Sequence, residues 1–239
     1  MTERLPLAPD TLDRLAGVSA ATVSMQLIKR GIRRHWMSGP MPLNPGQGRI
    51  VGEAFTMRFV PAREDVATRE SYGAPGSIRD AIEAVPEGRV VVIDARCEQG
   101  AATLGDILAA RLVARGVRGV VSDGPMRDVA GLRAVGLPVF CTGAAAPPSI
   151  GALFFVGWEE PVGCGGVAVF PGDVIVADGD GAVVVPRALA DGIAAEAPEQ
   201  ERFERFALER IEAGAPVRGT YPPDEATLEM YKAWKPADE

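Results

Sequence analysis

Two apolar runs separated by one amphipathic segment constrain the fold of this chain most. RVVVIDA at 89–95 and VRGVVSD at 117–123 both read as buried strands, because apolar residues follow one another without regular alternation. The segment between them, from about Leu104 to Arg115, has helical spacing and is followed by Gly116. Strand, helix and strand in this order predict a parallel crossover unit in a sheet that is covered on both faces.

The flanking segments extend this unit. On the N-terminal side we predict a helix from Ser19 to about Arg30, a loop over the proline- and glycine-rich residues 39–48, a strand over 49–60 and a short helix near 78–84. On the C-terminal side, a short helix after Asp128 and a strand at 137–142 repeat the unit. The chain from 49 to 142 therefore predicts an α/β domain.

The pattern of apolar segments changes after Leu153. Short apolar segments with turn signals between them (ALFFVGW, VGCGGVAVF, DVIVADG and AVVVP) predict antiparallel or mixed strands. An amphipathic helix is expected over 188–213, and a proline-rich tail over 215–239 is expected to drape over its own domain or a neighbouring subunit. We divide the chain into N-terminal helices and loop (1–48), a central α/β domain that is expected to carry any active site (49–186), and a C-terminal helix and tail (187–239).

Composition excludes several classes of function. A net charge of −7 and a pI near 5.0 argue against a nucleic-acid partner, and the one dense basic run, at 30–34, is typical of a solvated helix end. Three cysteines indicate neither a disulfide framework nor a zinc site, so we expect a reduced, cytoplasmic location. Absence of an apolar run of about 18 residues predicts no membrane span.

Two loops should carry the chemistry. In an open parallel sheet, ligands bind beyond the carboxyl ends of the strands, and a right-handed crossover places the loops after 95 and after 123 on one edge. Asp106, Arg127 and Asp128 can therefore meet, close to the free helix amides of Ile107 and Leu108. This grouping suits a small anion bridged to a hard divalent ion. From the residues alone, a helix cap at Asp106 and a surface pair at 127–128 remain open.

The stretch GDILAARLVARGVRGVVSDGPMRD, residues 105–128, resembles the signature of the family that contains the 4-hydroxy-4-methyl-2-oxoglutarate aldolases and the RraA regulators of ribonuclease E. GCGGVAVFPGDVIVADGDGAVVVP at 163–186 is similar to the C-terminal half of that family. The resemblance implies a swivelling β/β/α-type domain with a central mixed sheet flanked by helices. It also implies a homotrimer or hexamer with sites between subunits.

The resemblance also implies residue roles. Arg127 holds the carboxylate or keto oxygen of a 2-oxo acid, and Asp128 ligates magnesium or manganese. Asp106 contacts water on the metal, and Gly105, Ile107 and Leu108 surround the pyruvyl carboxylate. The regulators replace the acidic residue after the arginine, and its presence here favours the enzyme. An acidic residue of a neighbouring subunit is also expected, with Glu199, Glu201 and Glu204 as candidates.

The mechanism that follows is a hypothesis. A divalent ion on Asp128 and the charge of Arg127 stabilise the enolate that remains after a 4-hydroxy-2-oxo acid is cleaved to pyruvate, or after oxaloacetate loses carbon dioxide. A Schiff base is disfavoured, since no lysine lies between Lys29 and Lys232. The alternatives are a non-catalytic regulator that binds an RNA-degrading enzyme and another metal-dependent lyase or isomerase. The only histidine, His35, and Cys164 are weaker candidates for chemistry.

Overall fold

The structure is a computed structural model that describes residues 6–236. Within this range the strands are β1 Trp36–Met37, β2 Met41–Pro42, β3 Ile50–Pro61, β4 Val90–Asp94, β5 Gly119–Ser122, β6 Val139–Cys141, β7 Leu153–Trp158, β8 Val162–Cys164, β9 Val167–Val169, β10 Val174–Asp178 and β11 Gly181–Val185. The helices are α1 Thr11–Ala16, α2 Ala20–Lys29, α3 Ile78–Ala84, α4 Asp106–Ala114, α5 Val129–Val135, α6 Arg187–Glu212, α7 Val217–Thr220 and α8 Glu225–Ala233, and 3-10 turns occur at Glu70–Gly73 and Ser149–Gly151.

One mixed sheet organises the molecule, with strand order β1-β11-β10-β3-β4-β5-β6-β2 and β7 paired to the far end of β3. β3, β4, β5 and β6 are mutually parallel, whereas β10, β11 and β7 pair antiparallel to their neighbours. The predicted crossover unit is confirmed, since β4 and β5 are adjacent and α4 connects them. The predicted central mixed sheet flanked by helices is also confirmed.

Both faces of the sheet are covered, which explains the unalternating sequence of β4. Val91 and Ile93 pack with the apolar residues of α3, α4 and α5, while Val90 and Val92 face a second cluster that includes residues of β8 and β9. A third cluster joins α1, α2 and α6 to β10 and β11. Residues on both sides of the proposed boundaries at 48/49 and 186/187 thus share one core, and the division into domains stays a prediction.

The structure differs from the sequence-based expectation in two segments. VGCGGVAVF, expected as one strand, is a hairpin of β8 and β9 that turns at Gly165 and Gly166, both with positive φ. A Cβ on Gly165 would lie 2.8 Å from the backbone of Ser38, so that position combines a left-handed turn with close packing. The loop over 39–48 contains the short strand β2, which pairs with β6.

The tail folds back on its own chain over residues 215–236, and the last three residues of the predicted tail, 237–239, lie outside the described range. Asp224 caps α8 by accepting a hydrogen bond of 2.8 Å from the Thr227 amide. The guanidinium of Arg202 on α6 lies 5.0 Å from the Tyr231 ring centroid and 5.3 Å from that of Trp234. Aromatic packing and cation–π contacts therefore anchor α8 to α6. Contact of the tail with a neighbouring subunit stays a prediction.

Candidate functional site

The loops that follow β4 and β5 meet at one edge of the sheet. The Thr103 amide donates to the Pro125 carbonyl at 3.3 Å, and the Arg127 amide donates to the Leu104 carbonyl at 3.0 Å. These two backbone hydrogen bonds hold the start of α4 beside the segment that leads into α5. The expected juxtaposition of Asp106, Arg127 and Asp128 is present, while their chemical roles remain predictions.

A pocket of about 320 Å³ opens between these loops, and this volume suits a small metabolite. Its lining includes every site residue proposed from the sequence: Gly105, Asp106, Ile107, Leu108, Arg127 and Asp128. Ile107 lies on the rim with 81% of its surface exposed. The pocket therefore joins charged groups to an apolar rim.

Asp128 stands directly before α5 in a left-handed conformation, with φ 55° and ψ 42°. This conformation is unfavourable for a residue with a Cβ, although Asp tolerates it better than most. Its side chain makes no helix cap, and Oδ2 accepts a hydrogen bond of 3.1 Å from Arg127 Nε. Oδ1 accepts no hydrogen bond from the described residues. Backbone strain of this kind is concentrated at functional sites, and Asp128 lines the pocket.

Asp106 is the first residue of α4, and its carboxylate has no hydrogen-bond or ion-pair partner within residues 6–236. Glycine makes its position possible, because a Cβ on Gly131 of α5 would lie 2.2 Å from Asp106 Oδ2. Gly105 serves Asp128 in the same way, since a Cβ there would lie 2.6 Å from Asp128 Oδ2. Two glycines thus allow the two carboxylates to lie against the backbone of neighbouring segments.

The N-terminus of α4 offers free donors to this pocket. Gly105 occupies the N-cap position and has no side chain to cap the helix. The amides of Asp106, Ile107 and Leu108 have no acceptor among the described residues. Unpaired amides at a helix N-terminus bind anions through hydrogen bonds and the helix dipole. The pocket accordingly offers a place for a carboxylate beside the Arg127 guanidinium.

The donor set suits a hard divalent ion that retains most of its water. No group of three or more His, Cys, Asp and Glu side chains able to hold a metal occurs in the described part of the chain. A closed protein cage for zinc or calcium therefore does not fit. Asp128, with Asp106 nearby, fits a magnesium-like ion, which is typically bound by one or two carboxylates together with water and substrate oxygens.

Asp123 anchors the loop that carries Arg127 and Asp128. It is buried and accepts hydrogen bonds from the amides of Ala95 at 2.7 Å and Gly165 at 3.1 Å. Burial raises the pKa of this carboxyl above its ordinary value, and the two amides partly oppose that effect. Asp123 therefore ties the ends of β4 and β5 to the hairpin of β8 and β9.

The other residues singled out from the sequence lie outside the pocket lining. His35 is buried and bonds to Ser24 Oγ at 2.7 Å and the Ile32 carbonyl at 2.9 Å, and Cys164 is fully buried. The three glutamates accept hydrogen bonds within their own chain: Glu199 from Tyr231, Glu201 from Thr22 and Glu204 from Tyr221. Their use in a neighbouring site stays a prediction.

Sequence reasoning missed part of the pocket wall. Tyr72, Arg79 and Ser149 line it, and they come from the first 3-10 turn, from α3 and from the second 3-10 turn. The Tyr72 hydroxyl lies 3.0 Å from Ser149 Oγ. No motif links these positions, since they are brought together by the pairing of β7 with β3. The one available signal was the long polar segment over 61–76.

Together, the fold and the pocket define an α/β protein with a pocket at the carboxyl edge of its parallel strands, lined by a guanidinium, two carboxylates and the N-terminus of a helix. A family model described as RraA-like, Aldolase/RraA, matches residues 16–184. The chain therefore belongs to the Aldolase/RraA family, and the family resemblance noted in the sequence is confirmed. Separately, none of the helices between residues 6 and 236 has the length and apolarity required to cross a membrane.

Individual relatives are similar over most of this chain. The protein DlpA of Legionella pneumophila is 32% identical over 74% of this chain, and the match spans 28% of that protein. A Halalkalibacterium halodurans protein named "putative 4-hydroxy-4-methyl-2-oxoglutarate aldolase" is 32% identical over 67% of this chain and 70% of its own length. Among solved structures, Streptomyces coelicolor RraAS2, described as an unusual member of the RNase ES inhibitor RraA protein family, is 36% identical with a TM-score of 0.76, covering 87% of this chain and 98% of its own.

Proposed function

We propose that the protein is a divalent-metal-dependent lyase that cleaves a 4-hydroxy-2-oxo acid or oxaloacetate to pyruvate. The observation that carries the proposal is the left-handed Asp128, paired with Arg127 in a pocket that also holds the N-terminus of α4. The names of several relatives as aldolases support a lyase. The cation, the substrate and a trimeric or hexameric assembly belong to the proposal.

In the proposed reaction, the free amides at the start of α4 and the Arg127 guanidinium bind the carboxylate and keto oxygen of the 2-oxo acid. Asp106 takes the proton of the C4 hydroxyl through water. The C3–C4 bond then breaks, C4 becomes the carbonyl of the released fragment, and the electron pair of the bond moves toward the keto oxygen, where Arg127 stabilises the negative charge. Return of the proton to C3 yields pyruvate.

Asp128 would hold the divalent ion, with Asp106 close to its water shell. When bound, such an ion supplies Lewis-acid polarisation of the keto oxygen. The remaining contributions come from the chain itself. The backbone hydrogen bonds between the two loops position Arg127.

A screen of 4-hydroxy-2-oxo acids and oxaloacetate for pyruvate release tests the proposal, in magnesium, in manganese and with a chelator. We expect turnover that the chelator removes and either metal restores. Asp128→Asn should remove turnover and also weaken Mn²⁺ binding followed by electron paramagnetic resonance. Asp65→Asn is the matched control, because Asp65 is an exposed acid outside the pocket, paired with Arg63. Full activity of Asp128→Asn would contradict the assignment.

The second candidate is a non-catalytic regulator that binds an RNA-degrading enzyme. The observation that favours it is the 36% identity to RraAS2 over 87% of this chain. If the protein is such a regulator, we expect the purified protein to inhibit an RNase E-type enzyme and to turn over no 2-oxo acid. Inhibition assays on a fluorescent RNA substrate, run beside the pyruvate screen, separate the two candidates.

A further inference from the structure

We propose that Arg79, positioned by Tyr72, is a specificity-determining residue that binds an anionic group at the end of the substrate distant from the 2-oxo acid. This inference deepens the proposed function and rests on it for the identity of the reacting end. Arg79 lies outside the 105–128 signature and was not a candidate from the sequence.

The Arg79 side chain is held over the pocket by a single neighbour. Its Nη1 donates to the Tyr72 carbonyl at 2.7 Å, and its guanidinium carbon lies 5.6 Å from the Tyr72 ring centroid. Tyr72 is itself fixed, because its hydroxyl lies 3.0 Å from Ser149 Oγ and accepts from the Ile150 amide at 3.4 Å. A guanidinium stacked on a ring and bonded to a carbonyl loses little further freedom when it binds a ligand.

Arg79 is exposed, and no carboxylate within residues 6–236 forms an ion pair with it. Its neighbour Asp80 accepts instead from the Gly76 amide at 2.7 Å. An arginine with free donors at the wall of a pocket binds a carboxylate through its planar fork.

Arg79 and the reacting groups form two separate sets in the pocket lining. Arg127, Asp128 and Gly105 contact one another, whereas Arg79 contacts Tyr72, and no hydrogen bond or ion pair joins the two sets. With the 2-oxo acid placed at Arg127, the second guanidinium is left for the opposite end of the same molecule. A pocket of about 320 Å³ accommodates such a short ligand.

A neighbouring cavity offers the alternative outcome. It has a volume of about 80 Å³ and shares Tyr72, Ile78 and Ser149 with the pocket. Its lining combines apolar residues, among them Phe154 and Phe155, with serines. A substrate with an apolar distal arm would use this space. We favour the anionic group, because the Tyr72–Ser149 contact lies between the two spaces whereas Arg79 already lines the pocket.

Binding of two non-reacting ligands tests the inference without turnover. Isothermal titration calorimetry in magnesium compares 2-oxoglutarate with 2-oxopentanoate, which carries a methyl group in place of the distal carboxylate. Because Arg79 is exposed, solvent screens the pair, and the wild type should bind 2-oxoglutarate about two- to five-fold more tightly. Arg79→Gln should abolish most of this preference, and Arg79→Lys should retain part of it. Tyr72→Phe keeps the ring and the carbonyl but removes the hydroxyl contact with Ser149, so it should reduce the preference less than Arg79→Gln does.

Arg63→Gln is the matched control and should keep the preference, because Arg63 is exposed, bonds to Asp65 and lies outside the pocket. Equal affinity of the wild type for both ligands, tighter binding of 2-oxopentanoate, or full preference in Arg79→Gln would each overturn the inference. Pyruvate release from 4-hydroxy-2-oxoglutarate and 4-hydroxy-2-oxopentanoate is measured in parallel. Oxaloacetate is included in the same assay. Arg79-dependent binding without pyruvate release from any of the three substrates would reject the proposed lyase and leave the inference standing. Pyruvate release without any effect of Arg79→Gln would support the lyase and overturn the inference.

Discussion

Replacement of Asp128 by both Gly and Ala separates backbone strain from the chemistry of the carboxylate. Both variants lose the side chain that is expected to hold the cation, and both lose the contact with Arg127 Nε at 3.1 Å. They differ in how well they tolerate φ 55° and ψ 42°. Gly adopts this conformation freely, whereas Ala carries a penalty of about 1–2 kcal/mol.

The expected difference in stability is small but measurable. Relative to Ala, Gly lowers the free energy of unfolding by about 0.4–1 kcal/mol, because it increases the entropy of the unfolded chain. This loss partly offsets the relief of backbone strain. The Gly variant should therefore be about 0.5–1 kcal/mol more stable than the Ala variant. For a chain of this size, this corresponds to a difference in Tm of roughly 1–4 °C. The lost pair with Arg127 affects both variants equally and, being exposed, contributes little.

Differential scanning calorimetry and the pyruvate assay, run on the same preparations, test this reasoning. Both variants should lose pyruvate release and Mn²⁺ binding while they differ in Tm. An Ala variant as stable as the Gly variant would refute the strain argument. A Gly variant that retains metal-dependent turnover would refute the role of the carboxylate, whatever its stability.

Three further predictions concern positions around the pocket and the tail. Gly131→Ala places a Cβ 2.2 Å from Asp106 Oδ2, so kcat should fall by about ten-fold or more in the pyruvate assay while circular dichroism stays native. Burial raises the pKa of Asp123, so this carboxyl keeps its proton in the folded state to a higher pH than in the unfolded state. The contribution of Asp123 to the free energy of unfolding therefore falls as pH rises from 3.8 through the raised pKa. Urea titrations at several pH values should show this fall in the wild type and not in Asp123→Asn. Trp234→Ala removes a ring 5.6 Å from Phe206 and should cost about 2 kcal/mol of unfolding free energy in urea, whereas an unchanged midpoint would show that α8 adds no stability.

Much of the fold was predictable because local patterns carried the information. The unalternating run at 90–94 predicted a strand covered on both faces, and helix spacing between 104 and 115 predicted the crossover. Ser19 was expected to begin α2, and its hydroxyl accepts from the Thr22 amide at 3.2 Å. The glycine pair at 165–166 was not expected to form a hairpin, because two glycines inside an apolar run also fit a continuous strand with close backbone packing.

The residues of the candidate site were also predictable only where a local pattern linked them. Asp106, Arg127 and Asp128 follow neighbouring strands of one crossover unit, so the handedness of that unit was enough to place them together. Arg79, Tyr72 and Ser149 belong to three segments with no shared pattern, and only the packed sheet brings them to the same pocket.

The sequence by itself determined the parallel unit, the mixed character of the sheet and the grouping of the charged residues at the end of two strands, because each depends on local spacing and on the chirality of the crossover. The tertiary structure decided which glycines make room for the two carboxylates, that Asp128 adopts a left-handed conformation, and that a second guanidinium lines the pocket. These features depend on contacts between residues far apart in the chain, and such contacts exist only once β3, β4, β5 and β7 have formed one sheet.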